Sequence, residues 1–197
     1  MNKWEKVKIV LNSHGIVCFP TETVMGLGVF YDDKIAYDKL NIIKERKPGK
    51  PYTLMLDNPH HIPLYAEVTP RAQKVINAFM PGPLTIILKA KKDLPPWVSE
   101  GTGTVGIRCP NSEATVEMLK HVEKPLLAPS ANRAGQPPCK NSKEVKKVFG
   151  DDLDLIVKGK ATSNISSTIV DLTSPNIKVI REGVITKEQI LKVLEEK

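Results

Sequence analysis

No apolar run in this 197-residue chain is longer than a short strand, and the runs alternate with segments that open on a helix cap. That alternation restricts the fold more than any other feature. Leu84-Thr85-Ile86-Ile87-Leu88 is among the longest runs, whereas a bilayer-spanning helix needs about 20 apolar residues. No membrane partner is expected. Residues 16–21 and 26–30 read as strands. Asp32 or Asp33 caps a helix over about 34–44, with Ile35, Leu40, Ile42 and Ile43 as its apolar face. It stops near Arg46, because Pro48 disfavours helical geometry at Lys47. Residues 52–57 are strand-like. Thr69 and Pro70 open a helix that ends before Pro81-Gly82-Pro83. Strands follow at 84–90 and 105–109, then a helix from Asn111 or Ser112 to about His121, then a strand at 125–129. Ser142 caps a helix that Gly150 ends. Strands at 153–158, 167–172 and 177–181 precede a last helix, capped by Thr186 with Ile190, Leu191 and Leu194 inward. Without repeats or linkers, this pattern predicts α/β or α+β, with one domain over 1–197 and a mostly central sheet.

Apolar residues are 41% and charged residues 26%, ordinary for a globular chain and unlike a disordered one. Cys18, Cys109 and Cys139 are widely spaced, and the stretch Met1–Lys6 carries an acid and no signal-like apolar segment. Free thiols and a cytoplasmic location are therefore expected. Among four histidines only His60 and His61 are adjacent, and neighbours point in different directions. No metal cluster is expected, and no metal ligand is assigned. The 29 Lys and Arg against 22 Asp and Glu give a net charge of +7. Phosphate-bearing partners fit that charge, as does a surface that is simply basic and solvated.

Gly101-Thr102-Gly103-Thr104-Val105-Gly106 matches a dinucleotide fingerprint in letters only. The fingerprint needs a strand before it and a helix after it. Here a strand follows and Pro110 ends it. No G-x-x-x-x-G-K-[ST] loop is present either. Four other segments gather polar groups. Pro20-Thr21-Glu22-Thr23-Val24-Met25-Gly26-Leu27-Gly28 sets two hydroxyls and a carboxylate before glycines that permit close ligand approach, or it is a tight turn with capping threonines. Lys44-Glu45-Arg46-Lys47-Pro48-Gly49-Lys50-Pro51 places four cations where Lys44 and Arg46 converge on one anion, or they complement a helix C-terminus. Thr104, Gly106 and Arg108 share one strand face, and a buried arginine there needs an anion. Ser130 and Asn132 stand at a strand end before a Gly- and Pro-rich loop.

In this order the motifs resemble one known family. Pro-Thr-Glu-Thr-Val-x-Gly-Leu-Gly, Lys-x-Arg, Pro-Gly-Pro-Leu-Thr (81–85), Val-Gly-Ile-Arg, Ala-Pro-Ser-Ala-Asn (128–132) and Ser-Thr-Ile-Val-Asp (167–171) are similar to the YrdC/TsaC family over about residues 8–183. The resemblance implies a twisted mixed sheet, flanked by helices, around a large basic cavity. It implies a threonylcarbamoyl-AMP synthase of the short form, a nucleotidyltransferase in tRNA modification. L-threonine, bicarbonate and ATP, with Mg²⁺, would give threonylcarbamoyl-AMP and pyrophosphate, with no tightly bound organic cofactor. Partner proteins would pass the activated group to an adenosine beside the tRNA anticodon, and weak RNA binding fits the charge. Carried onto this sequence, Thr23, Arg108, Ser130 and Ser167 would hold threonine. Lys44, Arg46, Lys50, Thr104, Asn132, Lys140 and Arg181 would hold ATP. Lys44, Arg46, Ser130 and Asn132 would be catalytic. Two departures stand out: Met25 where the family often has Tyr, and Met55 where it often has His. They would make one pocket wall less polar.

The implied chemistry suits these residue types. A carbamate anion must approach the anionic α-phosphate. Two unit charges about 4 Å apart repel by roughly 4 kcal/mol at an effective dielectric of about 20. Fixed cations reverse that sign, so positioning and electrostatics carry the rate. No covalent enzyme intermediate is expected. The competing reading is an RNA-binding module without catalysis. Such a module usually adds exposed aromatics for base stacking. Aromatics are 5% of this chain, and none lies within 44–50. A carbamoyl-transfer domain of a hydrogenase-maturation protein fits less well, because such domains sit in much longer chains with zinc-finger cysteines.

Overall fold

In the computed structural model, which describes residues 1–47, 49–163 and 165–195, nine strands form one mixed sheet. Pro48, invoked above to end a helix, lies outside the described residues. The strands are β1 (Val17–Pro20), β2 (Met25–Phe30), β3 (Leu54–Met55), β4 (Leu84–Lys89), β5 (Thr104–Arg108), β6 (Leu126–Leu127), β7 (Leu155–Ile156), β8 (Thr168–Asp171) and β9 (Lys178–Arg181). Their order across the sheet is β7-β1-β2-β6-β3-β5-β4-β8-β9. The pairs β1–β7, β3–β5 and β4–β8 are parallel and the rest antiparallel. Every expected strand is present, but those expected at 52–57, 125–129 and 153–158 shrink to two residues each.

The helices are α1 (Lys3–Asn12), α2 (Lys34–Lys44), α3 (Pro70–Phe79), α4 (Pro96–Ser99), α5 (Glu113–Val122), α6 (Ser142–Phe149) and α7 (Lys187–Glu195), with a 3-10 turn at Pro59–Leu64. Caps follow local chemistry. Asp33, Thr69 and Ser112 each accept from a backbone N–H three residues on. Thr186 and Gln189 exchange reciprocal bonds, a capping box for α7. Two expectations need correction. Asn141, not Ser142, caps α6, accepting from Lys143 N and Glu144 N. The inner face of α2 is Ala36, Tyr37, Leu40 and Lys44, whereas Ile42 is 74% and Ile35 53% exposed. Aromatic Tyr37 and the aliphatic stem of Lys44 supply the packing that the isoleucines were expected to give. Helix α1 escaped the sequence reading because only Trp4, Val7 and Leu11 mark its buried stripe.

The two sheet faces are covered unequally. On one face lies the main core, to which α2, α3, α6 and α7 contribute Leu40, Val75, Ile76, Val145, Phe149 and Ile190. On the other, α1 and α5 cover β1, β2, β6 and β3, packing Trp4, Val7, Leu11, Met118, Leu119 and Val122 on Phe19, Phe30, Met55 and Leu126. Pairing then fixes what stands beyond them. Leu126 faces Met55, Met55 faces Arg108, Thr85 faces Ile169, and Ile169 faces Arg181. The register Ile86↔Ile107 sets Arg108 and Thr85 side by side. One row of side chains therefore leaves the apolar cover at Met55 and turns polar at Arg108.

Thr168 ties the last strands together. Its hydroxyl donates to the Ile185 carbonyl at 2.6 Å and accepts from Gly183 N and Ile185 N. A Cβ on Gly183 would overlap the Ser166 carbonyl and come within 2.7 Å of Thr168 N. Both contacts are backbone, so Gly183→Ala is expected to cost about 1–3 kcal/mol of stability. The loss is measurable as a lower urea midpoint at unchanged slope.

Candidate functional site

The polar half of that row floors a cavity of about 170 Å³. Arg46, Arg108, Ser130, Ser167, Thr85 and Arg181 are among its lining residues. A second cleft of about 410 Å³ opens beside it and shares Arg46 and Ser130; Lys44, Lys50 and Asn132 line it too. Two neighbouring spaces thus collect most of the residues singled out from sequence. Ser130 reaches them through a bridge to Gly26 on β2, flanked by Leu27 N–H to Pro129 O and Ala131 N–H to Met25 O.

Lys44 is 3% exposed at the end of α2. Its Nζ donates to the Ser130 carbonyl at 2.6 Å and the Asn132 carbonyl at 2.7 Å. Glu45 closes the helix in the left-handed region, so the chain turns at once toward Arg46. Arg46 donates Nε and Nη2 to the Lys50 carbonyl and stacks on Tyr52, 4.3 Å from the ring centre. The cations of this segment are therefore more than a helix-end complement. Lys44 clamps the Ser130–Asn132 segment, and Arg46 holds the Lys50 and Pro51 carbonyls at the edge of the cavity. Ser130 Oγ donates to Asn132 Oδ1 at 2.6 Å, and Asn132 Nδ2 donates to the Arg133 and Gln136 carbonyls.

On the other side, Arg108 is 6% exposed and donates Nη2 to Glu22 Oε1 at 2.7 Å. Glu22 is the anion that a buried arginine at the end of β5 requires. Ser167 Oγ lies 3.1 Å from Thr85 Oγ1 and accepts from Arg181 Nη2, while Arg181 Nε donates to the Ser167 carbonyl. The Arg181 guanidinium is held below its ordinary range by burial and then by the nearby Arg108 charge. Burial also lowers Arg46. Cations drawn together in a partly desolvated space favour an anionic ligand.

Three expected residues are not brought in. Thr23 is fully buried, with its hydroxyl 3.0 Å from Thr21 Oγ1; Thr21 is the threonine that lines the cavity. The short turn explains the exchange, because Thr21 Oγ1 also donates to the Val24 carbonyl and accepts from Thr23 N. Thr104 shares the face of Arg108 but lies four residues up β5, about 13 Å away, bonded to Thr102 Oγ1. Lys140 is exposed, with its N–H on Glu144 Oε2. Of the two departures, Met55 lines the cavity, whereas Met25 is wholly within the core. Sequence reasoning left Thr85, Glu22 and Tyr52 without roles. Strand parity alone, extended from Arg108 across to β4, would have found Thr85.

Among the described residues no group of three or more His, Cys, Asp or Glu side chains forms a metal site. The three cysteines are free and buried. Burial pushes the Cys109 thiol up to about 12 and raises Cys18 and Cys139 as well. None of the three has the lowered pKa of a reactive thiolate.

Lys44 gives a pH test. Burial first, then Arg46, lowers it from 10.5 to about 8. Above that pH the clamp loses its charge, and charge-assisted bonds are the stronger kind. We expect turnover to fall with an apparent pKa near 8. Stability moves the other way. Between about pH 8 and 10.4 the unfolded chain binds one more proton at Lys44 than the folded chain, so this group adds stability as pH rises. The buried thiols act oppositely over the same range. The readout is therefore the stability difference between wild type and Lys44→Met, which should grow with pH above 8 in urea denaturation.

Comparison with known proteins agrees with this geometry. Residues 9–183 match the Sua5/YciO/YrdC family model, described as telomere recombination. A threonylcarbamoyl-AMP synthase of Pyrococcus abyssi is 32% identical over 183 residues, 92% of this chain and 54% of that protein. One of Vibrio campbellii is 30% identical over 187 residues, 93% of this chain and all of that protein. The crystal structure of P. abyssi Sua5 complexed with L-threonine superposes with a TM-score of 0.91 at 30% identity, covering all of this chain and 59% of that one. The chain thus spans little more than half of the Pyrococcus relative.

Proposed function

Because this chain belongs to the Sua5/YciO/YrdC family, we propose that it is a threonylcarbamoyl-AMP synthase, joining L-threonine, bicarbonate and ATP with release of pyrophosphate. The observation that carries the reading is the clustering of Arg46, Arg108 and Arg181 with the hydroxyls of Thr85, Ser130 and Ser167 around one small cavity. A cavity of about 170 Å³ suits an amino acid. The adjoining cleft of about 410 Å³, with Lys44, Lys50 and Asn132, suits a nucleotide's phosphates.

In this reading Arg108 takes the threonine carboxylate, with Ser167 and Ser130 orienting the amino acid. Thr21 takes the place expected of Thr23. Arg46 and Arg181 offset the charge that builds when the threonylcarbamate meets the α-phosphate. Such fixed cations act without reorganising. Ser130 and Asn132, bonded to each other and clamped by Lys44, set the junction between the two spaces. Thr104, further along the same sheet face, and Lys140 would meet only parts of ATP that extend beyond both. No Asp or Glu is among the described residues lining the cavity of about 170 Å³, and Glu22 is already paired with Arg108. Mg²⁺ therefore fits as part of the MgATP substrate, held by phosphate and water, and not in a protein cage. The product would pass to proteins that modify tRNA, in the cytoplasm. The +7 charge supports weak RNA attraction during that transfer.

The test is pyrophosphate release by the purified protein with threonine and bicarbonate omitted in turn. Release that requires both is expected; release indifferent to either overturns the reading. Arg108→Lys keeps the charge that Glu22 needs but loses the guanidinium fork. It should raise the KM for threonine about tenfold or more, with the KM for ATP changed less than threefold, since one charge-assisted bond is worth roughly 1.5–3 kcal/mol.

A further inference from the structure

The backbone around Lys50 is held from two sides. Arg46 Nε and Nη2 donate to the Lys50 carbonyl, and Nη2 also reaches the Pro51 carbonyl at 3.1 Å. From the other side, Glu100 Oε2 accepts from Gly49 N at 2.7 Å, across 51 residues of sequence. Two side chains of opposite charge thus fix three backbone groups in three consecutive residues. Gly49 has φ 83°, and a Cβ there would meet nothing within 4 Å, so conformation and not crowding calls for glycine. Glu100 itself stands on a firm base. It ends α4, with its N–H on the Pro96 carbonyl at 3.0 Å. Val98 of that helix is fully buried, and Trp97 Nε1 donates to the Tyr31 carbonyl at 2.9 Å.

The two holders stand differently toward the site. Arg46 lines both spaces and Lys50 lines the larger cleft, whereas Glu100 is not among the described lining residues of either. A phosphate that draws the Arg46 guanidinium would loosen its grip on the two carbonyls. The Glu100 bond would remain. We propose that Glu100 is a positioning residue for the nucleotide: through the Gly49 N–H it keeps the exposed Lys50 at the cleft. The cation then meets phosphate without first having to be ordered, which favours affinity. The inference rests on the synthase reading for the identity of the nucleotide. It gives a role to a residue that none of the site motifs contains, directly before the Gly101–Gly106 run. The carboxylate also has an opposing effect, because a negative charge close to a phosphate cleft repels the ligand. An acid here with no positioning task would only weaken nucleotide binding. The sign of the change on removing it therefore separates the two roles.

The probe is α,β-methylene-ATP, whose α–β link resists cleavage. Its binding is measured by titration calorimetry at about pH 7, below the titration of Lys44, beside pyrophosphate release at the same pH. Glu100→Ala removes both the acceptor and the charge. It should weaken analogue binding and raise the KM for ATP about threefold to tenfold, the worth of one hydrogen bond. Its kcat and its KM for threonine should stay within about twofold, as for loss of uniform binding. Glu100→Gln keeps an acceptor in Oε1 without the charge, and should bind the analogue at least as tightly as wild type. An Ala variant that binds as tightly as wild type, or more tightly, would leave Glu100 a solvated acid and overturn the proposal. A Gln variant as weak as the Ala variant would overturn it too, because charge and not the hold on Gly49 would be responsible. So would an Ala variant that melts well below wild type with both KM values raised. In a Lys50→Ala background, Glu100→Ala should add little further loss; a fully additive loss would show that Lys50 is not the cation held. Wild-type pyrophosphate release that needs neither threonine nor bicarbonate would remove the synthase reading, while analogue binding would still decide the role of Glu100. A wild type that does not bind the analogue would remove both.

Discussion

The register of β4 between β5 and β8 is the constraint on which the site depends. Ile86 faces Ile107 on one side and Val170 on the other, and all three lie in the main core. Because strand side chains alternate, burying these three turns Thr85, Arg108 and Ile169 to the opposite face together. A slip of one residue would bury Thr85 and expose Ile86, exchanging an apolar core for a hydroxyl. The hydrophobic effect therefore aims the polar groups. The cavity floor is the reverse side of the core.

Charge is handled by a second principle. Lys44 and Arg108 are both buried, yet neither is left as a bare ion. Lys44 is solvated by two backbone carbonyls and Arg108 by a carboxylate. Burying an unpaired charge is expensive, and these partners offset much of the cost. The two devices differ in consequence. Carbonyls leave the net charge of the Lys44 region at +1, which suits a cleft for phosphates. The carboxylate neutralises Arg108 on average, which suits a small molecule carrying both signs.

Most of the fold was legible in the sequence because its signals are local. Thr69 with Pro70, Ser112 and Gly150 mark helix ends by chemistry acting within a few residues. What was not legible depends on distant partners. The inward turn of Lys44 needs carbonyls 86 and 88 residues away. Without knowledge of them, Ile35 and Ile42 look like the better inner face of α2. The brevity of β3, β6 and β7 is likewise a property of their neighbours. At the site, the motif residues Arg46, Arg108, Ser130, Ser167 and Arg181 do converge. Thr23 and Thr21 are alike in letters, and only the turn geometry tells which one faces the cavity.

The walls of the cavity come from residues as far apart in sequence as Thr21 and Arg181. No fragment shorter than residues 21–181 contains both. During synthesis, a chain halted before β9 would hold Arg108 and Glu22 but lack the strand that closes the floor. The ninth strand of the sheet is thus the one that completes the site. Ligand bound across that floor would act as a brace between the first hairpin and β9, which stand toward opposite edges of the sheet.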